Sequence, residues 1–364
     1  MRTSHRTIRK LIREEQSKIT DEQLFSSQQF SAYMTDIVET ATKRYRRRSK
    51  VKMHWDPFSN SDVAHTDNRL IHINAANFLT RSFPTRSLQA DSIIGLAGHE
   101  AGHILFTDFT MLQIHMQALE AGSFYPAEPG NLTMLQSLSL QQIKNYFEEK
   151  DEAVIQAIRL VTHSLVNTME DLYIEARMMD AFPGSFKTGI LLNNLRFSED
   201  IPSVTDEIAE GHHEVFIIIN LLIQYAKSGD LNNADGYKGK YLDTLYECIP
   251  FLDDAAYDED AKARYQAANQ MLVLLWPYMP SLIEQVREDL KNKTHHAAQA
   301  AEEQLATPPK TLSGTSKPVP SKTPYNHTPS SEDEERERLQ SALDYETGRI
   351  ALEKTDEISE GDSG

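Results

Sequence analysis

Residues 91–105 leave the chain little conformational choice. Ile93, Ile94, Ala97, Ala101 and Leu105 recur at helical spacing, and the helix they predict carries His99-Glu100-Ala101-Gly102-His103. Such a helix must bury its apolar stripe while presenting two histidines, one turn apart, on one face. It starts after Pro84, with Ser87 or Asp91 as candidate caps. Gly95, Gly98 and Gly102 thin one of its sides.

The spacing of His99 and His103 suits a single metal ion, with two imidazole nitrogens at about 2.0–2.1 Å. Glu100 is offset by one residue and can reach a water at that ion. Zinc lowers the pKa of such a water towards about 7, and a carboxylate can take its proton and return it to a leaving amine. Glu100 is therefore the candidate base, and Zn2+ the expected cofactor. The competing reading is two surface histidines on an ordinary helix.

A third protein ligand is needed if a fourth position is to stay open. The best source is Asn167-Thr168-Met169-Glu170-Asp171-Leu172-Tyr173-Ile174-Glu175, read as a half-buried helix. Glu170 and Asp171 are both admissible ligands, and sequence does not choose between them. Glu175, one turn beyond Asp171, is expected to orient a ligand histidine, with Asn167 and Asp108 as further supports. A solvated acidic face is the bland alternative. It is weakened because no Lys or Arg stands three or four residues from any of these acids.

Upstream, Val51 to Trp55, Val63 to Thr66 and Leu70 to Asn74 alternate in period two around turn residues. They predict a small antiparallel sheet before the motif helix. The strand Leu70 to Asn74 is the expected exposed edge on which a peptide backbone could add. Residues 1–50 have weak helical spacing. A break at Gly122 to Asn131 is followed by expected helices near 133–147, 151–181, 205–228, 238–249, 258–276 and 280–291. The expected fold is α+β, mostly helical, with residues 51–300 as the main domain.

Beyond about residue 302, prolines scattered among Ser, Thr and Lys give way to Glu332-Asp333-Glu334-Glu335 and an acidic run to Gly364. Few apolar residues are available there to offset ordering entropy, so 301–364 reads as a disordered tail or linker. The formal net charge is −17, which disfavours nucleic acid and anionic membrane as partners. The basic run Lys43 to Lys50 reads as a solvated helix end. A single cysteine, Cys248, excludes an internal disulfide and a cysteine-rich zinc module. No apolar leader follows Met1, and the most apolar run, Val215 to Ile223, is too short for a span. A cytoplasmic location is expected.

Other residues compete weakly for the site. His212-His213-Glu214 chelates one metal poorly, since adjacent helical side chains diverge. His163 reads as structural, and Tyr173 and Tyr225 as core tyrosines that could donate to an oxyanion.

At the motif the chain resembles gluzincin-type zincin metallopeptidases. The segment Gly98 to Asp108, the strands at 51–74 and the run Asn167 to Glu175 are similar to a group of bacterial and phage or mobile-element proteins. These pair a metallopeptidase region with a von Willebrand factor A-type domain, and their relatives work beside AAA+ ATPases. The resemblance implies a zincin-like domain, peptide-bond hydrolysis, His99 and His103 as ligands, Glu100 as base and a downstream helical acid as third ligand. It also implies partners: a protein or peptide substrate, and a AAA+ ATPase or von Willebrand factor A-type protein. The stretch from His103 to Glu170 is longer than in thermolysin-like enzymes, and no Asp-x-Ser-x-Ser metal motif occurs. The alternative function is a catalytically silent scaffold that binds such an ATPase.

Overall fold

The structure, a computed structural model, describes residues 9–10 and 18–292 apart from 60, 61, 68 and 235. The expected tail at 301–364 lies outside the described residues, as do Leu11 and Ile12 of the N-terminal segment. Helices α1 (Asp21–Phe25) and α2 (Gln28–Lys43) come first, capped by the side chains of Thr20 and Ser27. Then come β1 (Lys50–His54), β2 (Ala64–Thr66), β3 (Leu70–Asn74) and the short α3 (Phe78–Arg81). The motif helix is α4 (Arg86–Phe106). Its cap is Thr85, whose hydroxyl accepts from the Leu88 amide, and not Ser87 or Asp91, which lie inside the helix.

The sheet has the order β1-β3-β2 and is mixed, not antiparallel. β3 runs parallel to β1 and antiparallel to β2. Period-two alternation reports which faces are apolar and carries no information on strand direction. The described residues 55–59 and 62–63 return across the sheet, so that β3 inserts between its two predecessors. Asn74 pins this return: its side chain bonds the Asp56 amide and the Asp56 and Asp62 carbonyls. β3 is therefore central and is not the exposed edge expected from its sequence. β1 is covered along its other side by α2, where Ser31 and Thr35 bond the Val51 backbone.

Helices α5 (Phe109–Glu120), α6 (Met134–Glu149) and α7 (Glu152–Ala181) follow. Asp108, Thr133 and Asp151 cap them. Next come α8 (Ser185–Asp200), α9 (Val204–Glu210), α10 (Glu214–Ser228), α11 (Lys240–Ala256) and α12 (Ala261–Leu275); residues 280–292 are also helical. The single helix expected over 205–228 is broken at Gly211, whose φ of 77° ends α9. Neither α5 nor α8 is marked in the sequence by a clear apolar period. α8 starts at Gly184 without a side-chain cap and carries Gly189, Asn193 and Asn194 on its buried side.

Two apolar cores result. One joins the sheet to the motif helix through Val51, Ile71, Ile73, Ile93 and Ala97, and also takes in Met178 and Phe186. The other is formed by α7, α10, α11 and α12, and buries Val215 to Leu222 almost completely. α4 and α8 cross through paired glycines. A Cβ on Gly95 would fall 2.3 Å from the Gly189 carbonyl carbon, and one on Gly98 2.7 Å from Phe186 Cδ1. No described helix is long and apolar enough to cross a membrane.

Candidate metal centre

Where the two cores meet, α4 presents its histidines to α7. His99 Nε2 and His103 Nε2 are 3.2 Å apart. Asp171 Oδ1 lies 3.7 Å from the first and 3.5 Å from the second. A tetrahedral ion with bonds of about 2.0–2.1 Å separates its ligand atoms by about 3.3 Å, so the three atoms match the donor set of one zinc ion. Asp171 Oδ1 is buried and has no hydrogen-bond partner, the condition of a carboxylate oxygen left for a cation. Among the described residues this is the one His/Cys/Asp/Glu group that converges tightly enough to hold a metal ion.

Asp171, and not Glu170, is thus the third ligand candidate. Glu170 sits one residue earlier and faces away, where Arg264 Nε donates to its Oε1 at 2.8 Å. Both side chains are almost wholly buried, and the Arg264 guanidinium stacks 4.0 Å over the Tyr173 ring. The bases missing from the neighbourhood of these acids in sequence arrive from distant helices. Arg264 comes from α12, and Lys227, from α10, reaches Glu175 Oε1 at 2.7 Å and Asp171 Oδ2 at 3.4 Å.

Glu175 bridges His99 and Asn194. Its Oε1 accepts from His99 Nδ1 at 2.8 Å, and its Oε2 accepts from Asn194 Nδ2 at 2.6 Å. His103 Nδ1 meets Thr107 Oγ1 at 3.0 Å. Asn194 and Lys227 were not legible as site residues, since each lies on an element whose approach the sequence does not announce; Thr107, one turn beyond His103, is local to the motif helix. Asp108 turns elsewhere and caps α5 by accepting from the Met111 amide. Asn167 is half-buried one turn before Asp171; the amide that holds Glu175 is Asn194.

Burial and charge oppose each other here. Burial would depress the His99 imidazole, but Asp171 and Glu175 outweigh it and raise its pKa to about 9. Burial would raise the Asp171 carboxyl, yet Lys227 and the histidines hold it well below the usual range. Glu175 is lowered against the same burial penalty, chiefly by Lys227. Glu100 is 7% exposed, and burial raises its carboxyl, with His99 and His103 only partly offsetting that.

The weaker candidates stand apart. The Tyr225 hydroxyl donates to Asp253. His212 lies by Glu207 and Glu210, His213 meets Ser281, and Glu214 holds Lys240 and Tyr241. His163 is buried on α7. Arg44 to Arg48 are exposed and lie just beyond the end of α2.

Compared with known proteins, the chain matches no protein-family model, no curated protein and no solved structure.

Proposed function

We propose that the chain is a zinc-dependent peptidase of zincin-like build, with His99, His103 and Asp171 as the ligands and Glu100 as the base. The observation that carries this reading is the convergence of His99 Nε2, His103 Nε2 and the unpartnered Asp171 Oδ1 within 4.8 Å of one another, beside a buried glutamate on the same helix. Bound zinc would supply Lewis acidity that brings deprotonation of water near neutral pH. Glu100 then takes the proton at its carboxylate and passes it to the departing amine nitrogen. Glu175 holds the His99 ring, and Lys227 occupies Asp171 Oδ2, leaving Oδ1 towards the histidines. With β3 bonded on both sides, the edge strand packed on the motif helix is β2, and a peptide backbone would align there.

Metal content and peptidase activity of the full chain, wild type beside Glu100→Gln, test the reading. About one zinc per chain in both proteins, with hydrolysis of a peptide library in wild type alone, is the expected result. Hydrolysis surviving in Glu100→Gln would refute the assignment of the base. Zinc bound without turnover by wild type would favour the silent scaffold that docks a AAA+ ATPase.

A further inference from the structure

The two histidines are held differently. His99 Nδ1 meets a carboxylate directly, whereas His103 Nδ1 meets a hydroxyl, that of Thr107 at the C-terminal cap of the motif helix. A hydroxyl can donate or accept, and so by itself leaves the tautomer of a histidine open. The other side of Thr107 removes that freedom. Its Oγ1 donates to Glu170 Oε2 at 3.4 Å. A carboxylate paired with a guanidinium only accepts, and the partner of Glu170 is Arg264, 1% exposed and further anchored by its own bond to the Asp258 carbonyl at 2.8 Å.

Resting on the zinc reading, we propose that Glu170 and Thr107 are positioning residues that set the tautomer of His103. Glu170 compels the Thr107 hydroxyl to point its hydrogen away from the histidine. The Thr107 lone pair then faces Nδ1, so Nδ1 carries the proton and Nε2 presents its bare lone pair at the site. Arg264 holds the glutamate in place through its bond to Oε1. The ring nitrogen that His103 would offer a metal is thereby set by an ion pair between α7 and α12, through a single hydroxyl.

The test is zinc affinity of the full chain, by competition with a chromophoric chelator, for wild type, Thr107→Val and Thr107→Ser. Valine keeps the shape and removes the hydroxyl; serine restores it. Thr107→Val is expected to bind zinc about 10–100-fold more weakly, and Thr107→Ser to recover most of the loss. In the zinc-loaded wild type the His103 Nδ1 proton is expected as a slowly exchanging downfield imidazole resonance, lost in Thr107→Val. Wild-type affinity in Thr107→Val with that proton still protected would overturn the relay and leave the zinc reading intact. Thr107→Ser as weak as Thr107→Val would overturn it too, because the hydroxyl would then not be the active part. Failure of wild type itself to bind zinc would overturn both.

Discussion

Lys227 Nζ and Glu175 Oε1 are 2.7 Å apart in a buried setting, on helices that begin more than fifty residues from one another in sequence. The ammonium also lies 3.4 Å from Asp171 Oδ2, so one cation serves two carboxylates that would otherwise repel each other. Replacing it by Lys227→Met removes the one ammonium that both acids share. The metal-free variant is expected to lose about 3–5 kcal/mol of stability. Zinc should then raise its melting temperature by more than it raises that of wild type, since the ion takes over the missing positive charge. Differential scanning fluorimetry with and without zinc checks this; equal zinc-induced shifts would show that the lysine does not share the site's electrostatics.

Neighbouring acids on α7 should respond in opposite ways. Asp171→Asn is expected to lose zinc while folding normally. Glu170→Gln should still take up about one zinc at saturating metal but unfold at lower denaturant, since it strands the buried Arg264. Elemental analysis and urea unfolding on the two variants separate the roles. Loss of zinc only in Glu170→Gln would reverse the ligand assignment.

At the crossing of α4 and α8, Gly95→Ala places a methyl 2.3 Å from a backbone carbonyl carbon. Ordinary overpacking costs about 1–3 kcal/mol, and backbone cannot yield as a side chain does, so the loss should reach or exceed the upper end. Gly130→Ala, with nothing within 4 Å of the added carbon, is the control. Similar urea midpoints for the two variants would mean that the helices are not in contact through their glycines.

His115 gives the protein an acid-sensitive limb. It is fully buried, its Nδ1 donates to the Tyr125 carbonyl at 2.8 Å, and its ring stacks on Tyr265. Burial pushes its pKa from 6.5 down to about 4, against the opposing Tyr125 bond. The neutral form is favoured by the fold, so the unfolded chain binds the proton first as pH falls. Stability from this group is complete above pH 6.5 and declines towards pH 4, by on the order of 3 kcal/mol at most. His115→Gln should flatten that part of a stability–pH curve without abolishing it, because His65 is pushed down to about 4 as well. An unchanged slope would mean that His115 is not held neutral.

What could be read from sequence followed from spacing within one helix. The positions of His99, Glu100 and His103 on α4, and of Asp171 and Glu175 one turn apart on α7, depend only on the 3.6-residue period. The choice between Glu170 and Asp171 does not, because it turns on which of two adjacent side chains meets Arg264 from α12. Direction and order in the sheet escaped for a related reason: alternation in β3 describes its faces, while its central place is fixed by Asn74 and its bonds to Asp56 and Asp62. Asn194 and Lys227 are unremarkable in their own segments and acquire their roles only through tertiary approach, whereas Thr107 meets His103 locally, one turn along the motif helix.

The placement of the candidate centre on the seam between the two apolar cores bears on how the chain comes apart. An ion bound by α4 on one side and α7 on the other would resist any opening in which those cores separate, and its binding free energy would add to the barrier against that motion. The metal-loaded protein is therefore expected to melt in one cooperative step. Stripped of metal, the sheet-bearing half and the helical half are free to lose their structure at different temperatures.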